Sequence, residues 1–187
     1  MTTSGWTSAR LDDAYYMGRA LVQAKRAYAL GEVPIGAVVV YDPVDPATRT
    51  YLLEAPRIVG EACNLRETKK DPAGHAEFLA MKQAAVALDA WRLEGCTVYV
   101  TLEPCIMCAG LMHQSRVSRC VFGAADQKAG ALGTLYHVHA DERLNHSFPV
   151  TAQFRGEECQ ELLKAFFKER RAQRKACRCA AAKQKES

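Results

Sequence analysis

The chain has 187 residues, 49% apolar and 25% charged, with 25 Lys and Arg against 21 Asp and Glu and a formal charge of +4. That length fits a single domain able to bury its own core, and the composition excludes disordered and fibrous classes. No stretch approaches the roughly 18 apolar residues of a membrane span and the N-terminus lacks an export signal, so a cytoplasmic protein without a membrane partner is expected.

Residues 11–30 place Leu11, Ala14, Tyr15, Gly18, Leu21, Val22 and Tyr28 near one stripe of a helical period, which predicts an amphipathic helix. Pro34 then punctuates the chain, and the β-branched run Ile35–Tyr41 predicts a buried strand. Residues 42–56 carry three prolines and read as a long surface loop before a second strand near Arg57–Cys63. After the polar stretch 64–73, residues 74–89 are rich in helix formers, so a second helix should begin close to His75. Thr97–Thr101 predicts a strand, and Pro104 sits where a helix commonly starts, ahead of the small and apolar residues 105–114. Arg119–Gly123 reads as a further strand, a Gly-rich loop follows to Gly133, Phe148–Phe154 predicts a last strand, and Gly156–Lys175 a helix. The alternation of strands and helices predicts an α/β fold, a sheet covered by helices on both faces. One domain is expected over 1–187, with its core at about 10–171 and a basic tail from Ala172 that loses the apolar stripe and frays.

Charge is unevenly placed. Residues 168–187 hold eight Lys or Arg and two Glu, a net of +6, which leaves the rest of the chain at −2. Such a block suits phosphate contacts with nucleic acid, and a solvated tail is the plainer alternative. The eight cysteines lie in a mid-sized chain without an export signal, several inside apolar runs, and read as reduced thiols and a metal site rather than a disulfide framework.

Four residues carry the chemistry: His75 and Glu77 in GHAE, Cys105 and Cys108 in EPCIMC. Cysteines three apart on a helix lie on one side and can converge on one ion, and in a first turn the helix dipole favours their thiolates. His75 and Glu77, two apart, point away from each other inside a regular helix; they converge only at a helix start, so two helix N-termini should meet at the metal. Two thiolates and an imidazole suit zinc, and three protein ligands leave a fourth position for water, whose pKa falls to about 7. Glu77 beside it would take the water's proton and pass it to a ring nitrogen and to departing ammonia. A fourth ligand such as Cys63 would instead close a purely structural zinc site.

By these motifs the sequence is identified as a member of the cytidine deaminase-like superfamily, whose zinc enzymes share H-x-E followed by P-C-x-x-C. Within it the chain resembles the bacterial tRNA adenosine deaminases, from GEVPIGAVVV through GHAEFLAM, TLEPCIMCAGLM and VFGAADQKAGALGTL to FFKERR. The resemblance implies a three-layer α/β/α fold with a mixed sheet of about five strands, one Zn2+ per subunit on His75, Cys105 and Cys108, and Glu77 as catalytic proton shuttle. It implies hydrolytic conversion of the wobble adenosine of an anticodon loop to inosine, with Asn64 bonding the purine. Phe166, Phe167, Arg170 and Arg171 would hold the RNA, with helix packing and solvated surface as the alternatives for them. A homodimer acting on a tRNA anticodon stem-loop is implied, with no nucleotide cofactor. Two departures stand out: the long 42–56 segment, and AGHAE where a hydroxyl residue and alanine more often precede the histidine. The competing expectations are a free nucleobase or nucleoside deaminase, acting on guanine, cytosine or cytidine, and a non-catalytic zinc-stabilised RNA-binding subunit. Cys177 and Cys179 have no role in any of these readings.

Overall fold

The computed structural model describes residues 10–183, with side chains through Cys177. Helix α1 spans Asp13–Ala29 and is capped by Asp12, whose side chain accepts the Tyr15 N–H. Strands β1 (Gly36–Tyr41) and β2 (Arg57–Cys63) follow, then the single-turn helix α2 (Arg66–Lys69), helix α3 (Ala76–Ala87) and strand β3 (Cys96–Leu102). Helix α4 (Ile106–Gln114), strand β4 (Arg119–Ala124), a 3-10 turn at Val138–Ala140, the two-residue strand β5 (Val150–Thr151) and helix α5 (Gly156–Lys183) complete the order.

The five strands form one mixed sheet in the order β2-β1-β3-β4-β5. Strand β1 pairs antiparallel with β2 and β3, whereas β4 pairs parallel with β3 and with β5. Both faces are covered, which is why β1 reads as an unbroken apolar run and not as an alternation. Ala37, Val39, Val98, Val100, Cys120 and Phe122 face α3 and α4. Val38, Val40, Tyr99 and Val121 face α1 and α5 in a second core. The architecture is the three-layer α/β/α arrangement expected from the sequence.

Close helix–sheet contact places α3. Its buried residues Ala76, Ala80 and Ala84 repeat every four positions and form a shallow ridge. The ridge meets β2 at Gly60, where a Cβ would lie 2.2 Å from the Ala80 carbonyl oxygen. On the opposite face Arg119, buried at 8% exposure, reaches both carboxylate oxygens of Asp13 at 2.8 and 2.6 Å and also Thr151, while Tyr99 donates to Asp13 at 2.7 Å. One ion pair thus ties the start of α1 to β3, β4 and β5.

Three local expectations change. The strand predicted over Phe148–Phe154 shrinks to Val150–Thr151, because this edge strand pairs only with Cys120 and Val121 of β4. The polar stretch 64–73 contains the short helix α2, which ends in a left-handed residue, Lys70 at φ 52. Helix α5 continues through 172–183 although its apolar stripe ends, and residues 172–177 are exposed. The Asp42–Pro56 segment is a surface loop pinned by a bridge between Val44 and Tyr51.

Candidate active site

Two helix starts meet where the sequence predicts them to. His75 is the N-cap of α3 and Cys105 the N-cap of α4, both with extended backbone and neither side chain used in capping. Their side chains are therefore free to face the space beyond the two helix ends. Cys108 is buried in the first turn of α4. The two cysteines converge as cap and first-turn residue, not as two residues of one regular helix face, because α4 begins at Ile106 and not at Pro104 or Cys105. Nδ1 of His75 lies 3.6 Å from Sγ of Cys105 and 3.6 Å from Sγ of Cys108. A tetrahedral zinc at about 2.3 Å from sulfur and about 2.05 Å from nitrogen separates such donors by about 3.6 Å, so the trio fits that ion.

Electrostatics agree with the donor chemistry. The hydrogen bond from Cys108, reinforced by His75, draws the Cys105 thiol down to about 4 against the effect of burial. Cys108 is pushed upward, by its bond to Cys105 and then by burial and the charge of Glu77. His75 is raised, chiefly by its hydrogen bond to Cys105. The opposite shifts of the two cysteines favour one thiolate over two, whereas metal ligation requires both to be deprotonated. Glu77, 4% exposed on the first turn of α3, is pushed up to about 7 by burial and by the Cys105 charge, with its own backbone N–H, His75 and Cys108 pulling the other way. Among the described residues the group of donors within 4.8 Å of one another is His75, Cys105 and Cys108. Cys63, the alternative fourth ligand, is buried at the end of β2 and is not in that group.

Two buried acids outside the set of site residues predicted from sequence organise the surroundings. Glu103, 2% exposed, accepts the backbone N–H groups of Asp126, Leu132 and Thr134 at 3.0–3.1 Å and the Thr134 hydroxyl. It clamps the loop after β4 against the start of α4, where Cys105 bridges Gly130 and the Ala131 N–H bonds the Pro104 carbonyl. Gly130 is required there, since a Cβ would sit 2.4 Å from the Glu103 carboxylate. Glu32, 1% exposed, accepts from Asn64 Nδ2 at 3.2 Å and from the Thr68 N–H at 2.5 Å. The available signal was an acid flanked by strand residues and proline, as in GEVP and TLEP, where a solvated carboxylate is out of place.

Residues 11–171 match the model of the MafB19-like deaminases. The chain is 46% identical over 166 residues to the tRNA-specific adenosine deaminase of Bacillus subtilis strain 168, an alignment covering 89% of this chain and 95% of that one. The chain belongs to the tRNA-specific adenosine deaminases. Another member, from Haemophilus influenzae, is 43% identical over 163 residues, 87% of each chain. A solved structure from work on A-to-I editing by tRNA:A34 deaminases at the wobble position superposes with a TM-score of 0.69 at 32% identity, covering 80% of this chain and 99% of its own. As a member of the tRNA-specific adenosine deaminases, the protein is an enzyme, and the His75, Cys105 and Cys108 trio is its candidate metal centre.

The four residues expected to hold RNA on the strength of family resemblance are not equivalent. Phe166 is 5% exposed and packs edge-on against Tyr28 at 5.4 Å between ring centroids, the helix-packing alternative. Phe167 is 44% exposed and Arg171 is exposed. Arg170 stacks over the Phe166 ring at 5.3 Å and donates to the Gly31 carbonyl, so part of its guanidinium is occupied within the protein. Cys177 is exposed on α5, and the side chain of Cys179 lies outside the described residues. Asn64 is 5% exposed and immediately follows β2. Its neighbour Leu65 bonds the carbonyl of Gly74, the residue before His75.

Proposed function

We propose that the protein is a zinc-dependent hydrolase that converts the wobble adenosine of a tRNA anticodon loop to inosine and releases ammonia. The observation that carries this reading is the donor trio at zinc spacing with buried Glu77 beside it, in a chain 46% identical to a tRNA-specific adenosine deaminase. His75, Cys105 and Cys108 would hold a zinc ion, and that ion would supply hydroxide from water at neutral pH.

The protein's own residues do the rest. Glu77, whose carboxyl is pushed up to about 7 chiefly by burial, takes one proton from the attacking water and gives it to a ring nitrogen, then carries the second proton, from the newly added hydroxyl, to the departing amine. Oxygen joins the carbon that carried the amino group, the carbon–nitrogen bond breaks, and water and adenosine balance as inosine and ammonia. Asn64 meets the purine. A base stacked in a duplex cannot reach so buried a centre, so the substrate is an anticodon loop whose adenosine leaves the stack at low cost. Phe167, Arg171 and the basic end of α5 hold phosphates and loop bases, an attraction independent of sequence that falls with salt. The active unit is a homodimer working in the cytoplasm, where its substrate is found.

Inosine formation on the zinc-loaded enzyme tests this, with an anticodon stem-loop bearing a wobble adenosine set against free adenosine, guanine and cytidine. Inosine in the stem-loop alone is expected, and turnover of a free base or nucleoside instead refutes the RNA substrate. Glu77→Ala should keep one zinc per chain by metal analysis while turnover falls by about 10²- to 10⁴-fold or more. Loss of the metal in that variant would remove Glu77 from its assigned role.

A further inference from the structure

Glu32 is a buried carboxylate that no step of the reaction uses. It sits between Gly31, at φ +75, and Pro34 in the connection from α1 to β1, and only 1% of it is exposed. Burial opposes its ionisation, yet the Thr68 backbone N–H and hydroxyl, the Glu67 N–H and the charge of Arg66 hold it below the usual carboxylate range. An ionised carboxylate only accepts hydrogen bonds, so the Asn64 amide must turn its Nδ2 toward Glu32. With Nδ2 so held, the Asn64 carbonyl Oδ1 and its second amide N–H have fixed directions. A free asparagine would exchange the two ends by a half-turn of the amide.

The surroundings make this a joint and not an isolated contact. Asn64 donates its backbone N–H to the Ile35 carbonyl, and Leu65 donates to the carbonyl beside His75. The other Glu32 oxygen seats the single turn of α2 through Thr68. The Glu32 N–H bonds Ala27 at the end of α1, and Arg170 of α5 clasps the Gly31 carbonyl from outside. The residue after β2 and the turn of α2 are thereby tied through one side chain to the connection between α1 and β1, and Leu65 links that joint to the start of α3.

We propose that Glu32 is a positioning residue for the reaction, fixing through its hydrogen bond which end of the Asn64 amide meets the purine. This role presupposes the contact between Asn64 and the base proposed above. It differs from a purely structural role in that Glu32 acts on turnover only through Asn64.

A double-mutant cycle separates the two. Wild type, Glu32→Gln, Asn64→Ala and the double variant are compared for kcat and KM on the wobble-adenosine stem-loop, with zinc content and thermal melting recorded for each. Glu32→Gln should lower kcat/KM by about 10- to 100-fold, the scale of one hydrogen bond to a charged group, with zinc content unchanged. Asn64→Ala should lower it at least as much, and the double variant should match Asn64→Ala within about 2-fold, the signature of two residues acting as one unit. Losses that multiply in the double variant, or wild-type kcat/KM in Glu32→Gln, overturn the positioning role. Wild-type turnover in Asn64→Ala fails differently: it removes Asn64 from base recognition and the role of Glu32 with it. Should Glu32→Gln not fold, the wild-type enzyme answers through the Asn64 side-chain amide in a 15N–1H spectrum. One proton held by Glu32 should exchange slowly with solvent, and equal fast exchange of both overturns the assignment.

Discussion

Replacing Glu103 tests how the loop after β4 is built. In Glu103→Ala the backbone N–H groups of Asp126, Leu132 and Thr134 and the Thr134 hydroxyl lose their shared acceptor. The Leu132 bond is fully buried, and its orphaned donor bears the whole desolvation penalty, about 1–3 kcal/mol. The donors of Asp126 and Thr134 are partly buried and recover part of their loss from water, so the total should be about 3–5 kcal/mol. Glu103→Gln refines the prediction. Its carbonyl oxygen can keep the bonds of Leu132 and Thr134, which share Oε1, while its NH2 faces the Asp126 N–H donor to donor. Its cost should be about 1–3 kcal/mol, clearly below that of alanine. Denaturant unfolding of the zinc-loaded protein measures both, and chelator competition measures zinc affinity, which should fall because Cys105 bridges the same loop at Gly130. A loss below about 1 kcal/mol for Glu103→Ala with unchanged zinc affinity would refute the clamp.

Zinc uptake should release protons: in the metal-free protein Cys108 and His75 are both shifted upward, chiefly by their bonds to Cys105, whereas the ligands must be thiolate and neutral imidazole. Binding lowers those pKa values, so affinity should rise with pH between about pH 6 and 8, as read by chelator competition and an indicator dye, and a flat profile would count against this ligand set. Asp13→Asn strands the buried Arg119 and should cost about 3–5 kcal/mol in denaturant unfolding. Activity per folded molecule should hold, because that ion pair lies on the face of the sheet away from α3 and α4. Deleting residues 172–187, which carry five Lys or Arg and one Glu, should weaken stem-loop binding and flatten its dependence on salt. An identical salt slope would assign that end of α5 no part in holding RNA.

The sequence by itself determined what depends on local pattern. The unbroken apolar run of β1 announced a strand covered on both faces, and the helix formers after His75 announced α3. Spacing alone also required two helix starts at the metal, since His75 and Glu77 cannot converge within a regular helix. Tertiary structure decided what depends on distant partners. That Cys105 is a cap residue, and Cys108 its first-turn partner, follows from where α4 begins. Phe166 and Phe167 are adjacent and chemically alike in sequence, and only the presence of Tyr28 opposite one of them makes it a packing residue. The settings of Glu32 and Glu103 in GEVP and TLEP hint at burial but not at their partners, because the donors that justify burying them lie 23 to 36 residues away along the chain. A buried carboxylate is favourable only when those donors converge on it, and convergence across such separations is a property of the fold and not of the local sequence.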